Sequence, residues 1–600
     1  MNKSKISVVL TAGLMLLPVV AMAADVSVTG FIRQETAVGT GDANVYNQSY
    51  GNTFNQKTLP NTFGTPITRD QPSEDTDWNL NATRAEIDFK ARFNSAWEGF
   101  AKIRGVTQWG MDDEYDHFYD SGFNGGKGSV LEVNGEDGMM DIPALYLDYN
   151  NGPLWLRMGQ QQIAWGEAIF FRVFDIPNGL DLRRHSILGV AAEEYSDSRV
   201  PSLGIRGSYR FDNDWEIESF VQQFRPSVLG PQETPYNFVG SQFRIDQSTG
   251  WNDKEDDFNF GARISGSVGN FDLQFMYSSR INPDGTFRWT ESGINPFVGI
   301  PGLEETVGAL LSQTAFELTP DGVWISDEWF KYAGLTRLDG VDGLNASIRD
   351  FPAAQALGAF VVDEATCQAL LGTTNLRDCA NFELDLFYDT SGNAPPGGGL
   401  GPLAGHIIRE FDREDIFGAG FTYVFNGEPN SLLDQLVLRT EFTFTPDRKF
   451  TALGLDREYI EEDEFISNIS LEKYHRFSSA FPASYFVLQW MHKSESDLLG
   501  RHVDGFDTDK DGRPKGEDSF NAIAFALQQP FPGLIWRADL TVLYDVNGGV
   551  LVQPGVKWRP RDDVQLDVYY NYIESDGDNN DVLETFEDMD EVFARLTWYF

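Results

Sequence analysis

From Arg84 to Phe93 the chain alternates strictly, with Ala85, Ile87, Phe89, Ala91 and Phe93 at one set of positions and Arg84, Glu86, Asp88, Lys90 and Arg92 at the other. Successive side chains of a strand point to opposite faces, so this period of two predicts a β-strand with one apolar and one charged face. The same dyad returns in Leu203, Ile205, Gly207, Tyr209 and Phe211 against Arg206 and Arg210, and in Trp536, Ala538, Leu540, Val542 and Tyr544 against Arg537, Asp539 and Asp545. It appears again in Val564, Leu566, Val568, Tyr570 and Tyr572 against Gln565, Asp567 and Asn571. Each segment is roughly ten residues long, which is what a tilted strand needs to cross a bilayer. The chain ends on one more such strand, with Val592, Ala594, Leu596, Trp598 and Phe600 on its apolar face. An aromatic carboxy-terminus of this kind resembles the insertion signal of bacterial outer-membrane barrels and implies that the barrel-assembly machinery reads Phe600.

Residues 1–23 carry Lys3 and Lys5, an apolar run from Ile6 to Val20, and Ala21-Met22-Ala23. They read as a cleaved secretory signal peptide, with 24–600 as the mature chain. The run is shorter and more interrupted than a bilayer-spanning helix, and no later stretch is longer. Export combined with amphipathic strands predicts an all-β, transmembrane antiparallel β-barrel in the outer membrane, in contact with its lipid and lipopolysaccharide.

Tight turns at Asn94 to Ala96, Asn150 to Pro153, Asp212 to Asp214, Gly269-Asn270 and Arg559 to Asp563 alternate with long segments read as polar loops: Gly110 to Gly138, Gly166 to Pro201 and Arg225 to Asp257. Short periplasmic turns and long extracellular loops are the habit of such barrels, so the first strand, Val26 to Glu35, runs outward. Parity then requires a returning strand where alternation is poor, near Ser467 to Phe477, for about eighteen strands, or sixteen if one weak pair is a loop. The segment 281–413 breaks the pattern. Leu303, Val307, Leu310 and Leu311 have helical spacing, as do parts of Pro352 to Leu371, which predicts a large, partly helical insert that caps the mouth or plugs the lumen. Cys367 and Cys379, the only cysteines, lie within it, and in an exported chain they are expected to form a disulfide.

Composition fits this frame. Mean hydropathy is −0.33 and aromatics reach 14%, as expected when each strand gives half its residues to lipid and half to a wet lumen. The 46 Lys and Arg face 91 Asp and Glu, a formal charge of −45, which excludes a nucleic-acid partner. The acidic runs Asp112 to Asp116, Asp456 to Glu464 and Glu574 to Glu591 read as solvated loops.

Three stretches carry a more specific signal: Leu156-Arg157-Met158-Gly159-Gln160-Gln161-Gln162-Ile163-Ala164-Trp165-Gly166-Glu167, then Ser198 to Gly204, then Phe411-Asp412-Arg413-Glu414-Asp415-Ile416-Phe417-Gly418. They resemble the gammaproteobacterial outer-membrane proteins catalogued as domain of unknown function 1302 (DUF1302), with Gln160-Gln161 standing where that family more usually has Arg-Gln. The resemblance implies a non-enzymatic channel that works with a periplasmic or lipoprotein partner and an inner-membrane transporter on lipid-like or other hydrophobic molecules.

On the residues alone, Arg84, Glu86, Lys102, Arg104, Arg157, Gln161, Trp165, Glu167, Arg206, Arg263 and Arg439 are the candidate lumenal set, because mixed charge at this density lines water or pairs across a plug. Asp507, Asp509, Asp511 and Asp518, with Gly512 at the sixth place, match the spacing of a calcium loop, the one cofactor the sequence points to. His117 among Asp112, Asp113, Glu114 and Asp116 is the only cluster that fits a general base, and the six histidines lack metal-ligand spacing along the chain. Transport of an amphipathic solute is the leading reading; a rim-active hydrolase and an adhesive surface protein are the alternatives.

Overall fold

The computed structural model describes residues 25–40, 58–68, 78–109, 130–135, 138–174, 176–183, 198–230, 242–254, 256–390, 399–509, 511–577, 579–587 and 589–600. The signal peptide, His117 and the acidic run around it lie outside the described residues.

Eighteen antiparallel strands close a barrel. In chain order they are β1 (Asp25–Gly39), β2 (Trp78–Arg92), β3 (Trp97–Gln108), β4 (Gly138–Asn151), β5 (Leu154–Gln161), β6 (Ser202–Arg210), β7 (Glu216–Gln223), β8 (Phe258–Val268), β9 (Phe271–Ile281), β10 (Arg413–Val424), β11 (Val437–Phe450), β12 (Ile460–His475), β13 (Ser484–Lys493), β14 (Phe520–Pro530), β15 (Trp536–Asp545), β16 (Val550–Arg561), β17 (Val564–Glu574) and β18 (Glu591–Tyr599). Each pairs with the next, and β18 returns to β1 through Phe31↔Tyr599 to Gly39↔Glu591. Closure leaves no strand edge with unpaired N–H and C=O groups, which is the condition for crossing hydrocarbon. Gly30 and Phe600 exchange two backbone hydrogen bonds of 3.0 Å at the seam.

The returning strand expected near Ser467 to Phe477 runs Ile460–His475, and the count is eighteen, so the start of β1 and the end of β18 lie at the end carrying the short turns. The long connections after β5, β7 and β9 start from the other end. Apolar side chains face outward in a belt, with Ile205 56% and Leu596 51% exposed, whereas Glu591, Arg595 and Thr597 of the same final strand are buried inside. A contiguous apolar belt of this extent is a lipid-facing surface. The fold is that of an outer-membrane barrel.

Between β9 and β10 the chain builds a compact insert. Its helices are α1 (Ser326–Leu335), α2 (Gly340–Arg349), α3 (Pro352–Ala356), α4 (Glu364–Leu370) and α5 (Leu376–Tyr388). Asp339, Asp363 and Asn375 start α2, α4 and α5 by accepting first-turn N–H groups, as N-caps do. The Cys367–Cys379 disulfide ties α4 to α5 inside a core that includes Phe330, Val341, Leu344 and Leu384. The helical spacing at Leu303 to Leu311 appears as a wide turn followed by Ala309–Leu311. A small sheet centred on Leu403–Glu410 joins the insert to Phe243–Asp246, and Trp289 stacks on Trp329 at 6.2 Å. The insert rests on the long connections of the barrel: Arg513 bonds Asp339 at 2.7 Å and Asp342 at 2.6 Å, and Arg501 donates to the Leu335 carbonyl at 2.8 Å.

Glu383 on α5 is fully buried in this core, where one carboxyl oxygen accepts the Phe360 N–H at 2.7 Å and the other has no partner. Burial pushes its pKa up to about 8. A carboxyl that holds its proton more tightly when folded costs stability as pH climbs from the ordinary carboxylate range toward 8, by about 1.4 kcal/mol per unit. The insert should therefore melt at falling temperature between pH 5 and pH 8, and Glu383→Gln should flatten that slope. Near-UV circular dichroism in detergent reads both; a wild-type insert with no pH dependence would contradict this placement of the proton.

Candidate functional site

The segment after β5, read from the sequence as a long polar loop, is apolar at its start: Ala168, Ile169, Phe170, Phe171, Val173, Phe174 and Ile176 leave few positions for water. It folds into the lumen instead, which corrects that expectation for a physical reason, since such a run would expose its whole surface if it projected outward. Ile163, Trp165, Phe171, Val173, Phe174 and Ile176 are all buried. They pack with inward-facing Phe220, Met276, Met491, Ala524, Leu543 and Leu551 of the wall.

Polar wall groups hold the loop by its backbone. Glu441 of β11 accepts the N–H groups of Glu167 (2.6 Å) and Ala168 (3.1 Å) on one carboxylate oxygen and that of Phe174 (3.1 Å) on the other. Gln489 of β13 accepts the Phe170 N–H at 3.0 Å and donates to the Phe171 carbonyl at 2.9 Å. Trp165 packs edge-on against Phe220 with ring centroids 5.1 Å apart, and its indole N–H donates to Glu218. A buried carboxylate that gathers three N–H donors satisfies both itself and a loop with no secondary structure of its own.

The candidate lumenal residues fall into two groups around this loop. Arg206 and Arg263 converge on Glu218 at 2.6 and 3.2 Å, and Arg263 also donates to the Trp165 carbonyl at 3.1 Å. Arg439 bonds Glu167 and, at 2.7 Å, Glu472. The structure thus unites Trp165, Glu167, Arg206, Arg263 and Arg439 in one constellation. The second group lies on β2 to β4, where Arg84 and Lys102 share Glu86 and Arg104 bonds Asp141 at 2.8 Å in a fully buried pair. Arg157 pairs with Asp148 at 2.8 Å and lies over the Tyr146 ring, and Gln161 donates to the Gly204 carbonyl at 3.1 Å; neither joins a group. Ion pairs line β2 to β4; on β13 to β17 the inward side chains are apolar toward the long-connection end, with Met491, Phe520, Ala522, Leu543, Leu551 and Ile573, and charged toward the short turns, with Arg537 paired to Asp539 and Lys557 to Asp567.

Above the loop, at the long-connection end, a cavity of about 430 Å3 borders that apolar part, with Leu180, Leu229, Leu338, Ile407, Leu499 and Phe586 in its walls. Burial lowers two of its guanidinium groups, Arg337 and Arg409, to about 10. A second cavity of about 460 Å3 lies toward the short-turn end against β13 to β17, lined by Tyr485, Gln528, Arg537 and Lys557 among others.

The calcium-spaced carboxylates act locally. Asp507 takes Lys515 at 2.8 Å, Asp509 caps the backbone of Asp511 and Arg513, and Asp511 meets Asn375. No three of Asp507, Asp509, Asp511 and Asp518 converge. Among the described residues the one group of three candidate metal ligands with atoms within 4.8 Å of one another is Glu462, Glu495 and His502. It joins the start of β12 to the connection after β13, so spacing along the chain could not reveal it.

Of the residues that grip the loop, Glu441 is visible in the sequence as an inward acid, whereas Gln489 carries no signal that separates it from other inward polar positions. The apolar run from Ala168 to Ile176 is the signal that finds the loop.

Similar solved structures include Acinetobacter baumannii OccAB2 (7% identity, TM-score 0.43, covering 96% of this chain and 98% of that one) and OccAB4 from the same organism (7%, 0.41, 96% and 98%). A triple mutant of Rhodopseudomonas blastica porin matches at 8% identity and a TM-score of 0.32, covering 96% and 100%. Among curated proteins, none matches the sequence. The family model described as Protein of unknown function (DUF1302) matches residues 6–600, nearly the whole chain, and the protein belongs to that family.

Proposed function

We propose that this barrel is a non-enzymatic outer-membrane channel for hydrophobic or amphipathic solutes, which it passes between the cell surface and a periplasmic or lipoprotein partner serving an inner-membrane transporter. The single observation that carries the reading is the apolar part of the lumen, bounded by the inward loop and bordered by the cavity at the long-connection end. A general diffusion pore gains nothing from burying Phe171, Phe174, Leu543 and Leu551 against one another, because small polar solutes cross water rather than side-chain carbon. A path for an apolar chain needs such a lining, since every methylene leaving water for it is favoured by about 0.8 kcal/mol. The Arg206–Glu218–Arg263 and Arg439–Glu167 pairs then hold the loop's start against the wall, apart from the ion pairs of β2 to β4.

The test is flux through the purified barrel in liposomes. A fluorescent long-chain alcohol should cross faster than in empty vesicles, and a deletion strain should lose uptake of such compounds. Glucose flux with no effect on the alcohol would overturn the reading.

A further inference from the structure

Glu462, Glu495 and His502 meet at the long-connection end, on two segments that the barrel pairing sets side by side. Glu462 is the third residue of β12, and Ser494, just beyond β13, donates its N–H to the Phe465 carbonyl at 3.0 Å, which carries Glu495 alongside. The connection then doubles back: Ser496 bridges to His502, and the Val503 N–H donates to the Glu495 carbonyl at 3.0 Å, returning the imidazole to the same place. One ligand atom of each side chain lies within 4.8 Å of the other two, and His502 Nε2 stands 4.0 Å from a Glu462 oxygen. The histidine adds what two acids alone lack. It is 5% exposed, Phe450 packs edge-on against its ring at 5.1 Å, and its Nε2 is buried with no hydrogen-bond partner, a costly position for a polar atom. The charges acting on the ring are those of Asp504, Glu462 and Glu464, all carboxylates, and the Glu495 carboxyl lies against that of Glu462. Arg448 answers Glu464, but among the described residues no lysine or arginine pairs with Glu462 or Glu495.

We propose that Glu462, Glu495 and His502 bind a divalent transition-metal ion of the zinc class, which fastens the connection after β13 to the start of β12. Calcium and magnesium take oxygen ligands and gain nothing from an imidazole, whereas zinc accepts one nitrogen and two carboxylates and leaves a fourth position for water. Bonds of about 2.0–2.2 Å set ligand atoms about 3.4 Å apart around a tetrahedron, so the three have to close by roughly 1–1.5 Å. Glutamate torsions supply that movement, since the Glu462 side chain is 47% exposed and Glu495 is half-buried. Without metal, Nδ1 accepts the Asp504 N–H at 3.2 Å, which puts the ring hydrogen on Nε2. Metal takes the place of that hydrogen, which moves to Nδ1, where the Asp504 carboxylate 3.6 Å away becomes its acceptor, as carboxylates beside metal-bound histidines do. His502, Leu498 and Leu499 also line the cavity of about 430 Å3, so the ion would fix one of its walls. Nothing in the site depends on what the barrel conducts.

The experiment strips the detergent-purified full-length barrel with EDTA and reads Zn2+ binding by competition with a chromophoric chelator. Wild type should bind one Zn2+ per chain at a site that His502→Ala and Glu462→Gln each weaken about tenfold or more, the loss expected when one of three protein ligands goes. Zn2+ should raise the apparent Tm of wild type and of neither variant, and millimolar Ca2+ should not displace it. Glu462→Gln changes a half-exposed side chain, so it decides the matter even where His502→Ala fails to assemble. Equal binding by wild type and Glu462→Gln would show that other carboxylates of this acidic chain hold the zinc and would overturn the proposal. Absence of bound zinc would leave Glu462 and Glu495 sharing a proton in place of a metal, and would overturn it too. Displacement by Ca2+ would remove the imidazole from the site and the zinc class with it.

Discussion

Glu441→Leu should release the inward loop from the barrel wall and raise single-channel conductance several-fold, with residues 166–174 becoming open to protease. Three backbone N–H groups converge on this one carboxylate, and leucine accepts none of them. Each buried donor left without an acceptor costs about 1–3 kcal/mol, so the sum exceeds what a loop lacking internal hydrogen-bond ladders can absorb. The loop will trade its place in the lumen for water. Glu441→Gln is the graded control: its carbonyl oxygen can keep Glu167 and Ala168, but its amide nitrogen then meets the Phe174 N–H, donor against donor. Conductance should rank wild type, Gln, Leu. Identical conductance in planar bilayers for all three would refute the assignment of Glu441 as the grip.

The second large effect is expected at the seam. A Cβ on Gly30 would stand 2.3 Å from the Glu86 carbonyl oxygen and 2.8 Å from the Phe600 ring. Backbone cannot yield as a flexible side chain does, and overpacking that forces even modest shifts costs about 1–3 kcal/mol. Here the shift would fall on the β1–β2 pairing and, through the Phe600 ring, on the β1–β18 seam that Gly30 itself completes with Phe600. Gly30→Val should leave little of the folded, heat-modifiable band on unboiled gels, whereas Thr29→Val, one position earlier on the same strand, should assemble. Equal assembly of the two would show that the seam tolerates bulk.

The strands were readable because lipid and lumen impose opposite demands at adjacent positions, and β2, β15, β17 and β18 obey them along most of their length, with Leu80, Leu543, Tyr569, Ile573 and Phe593 as apolar residues on the inward face. β12 was hard to read because the demands blur there. Ile466 packs toward the apolar cluster inside, while Ser467 sits on the opposite face, so the contrast that marks a strand is lost where the lumen itself is apolar. The insert's α1, α2 and α5 went unpredicted, although Val341, Leu344 and Ile348 of α2 lie at helical spacing. The lumenal charges were legible as a set but not as pairs, since Arg439 and Glu167, or Arg263 and Glu218, meet only once the barrel closes.

The wall takes hold of its inward loop through peptide amides, with Glu441 and Gln489 reaching main-chain atoms and ignoring what hangs from them. A clasp of that kind does not read the side chains of residues 168–173. Evolution can exchange them for other apolar ones there and the loop will still be seated, whereas proline at 167, 168, 170 or 174, which has no amide hydrogen to offer, breaks the hold.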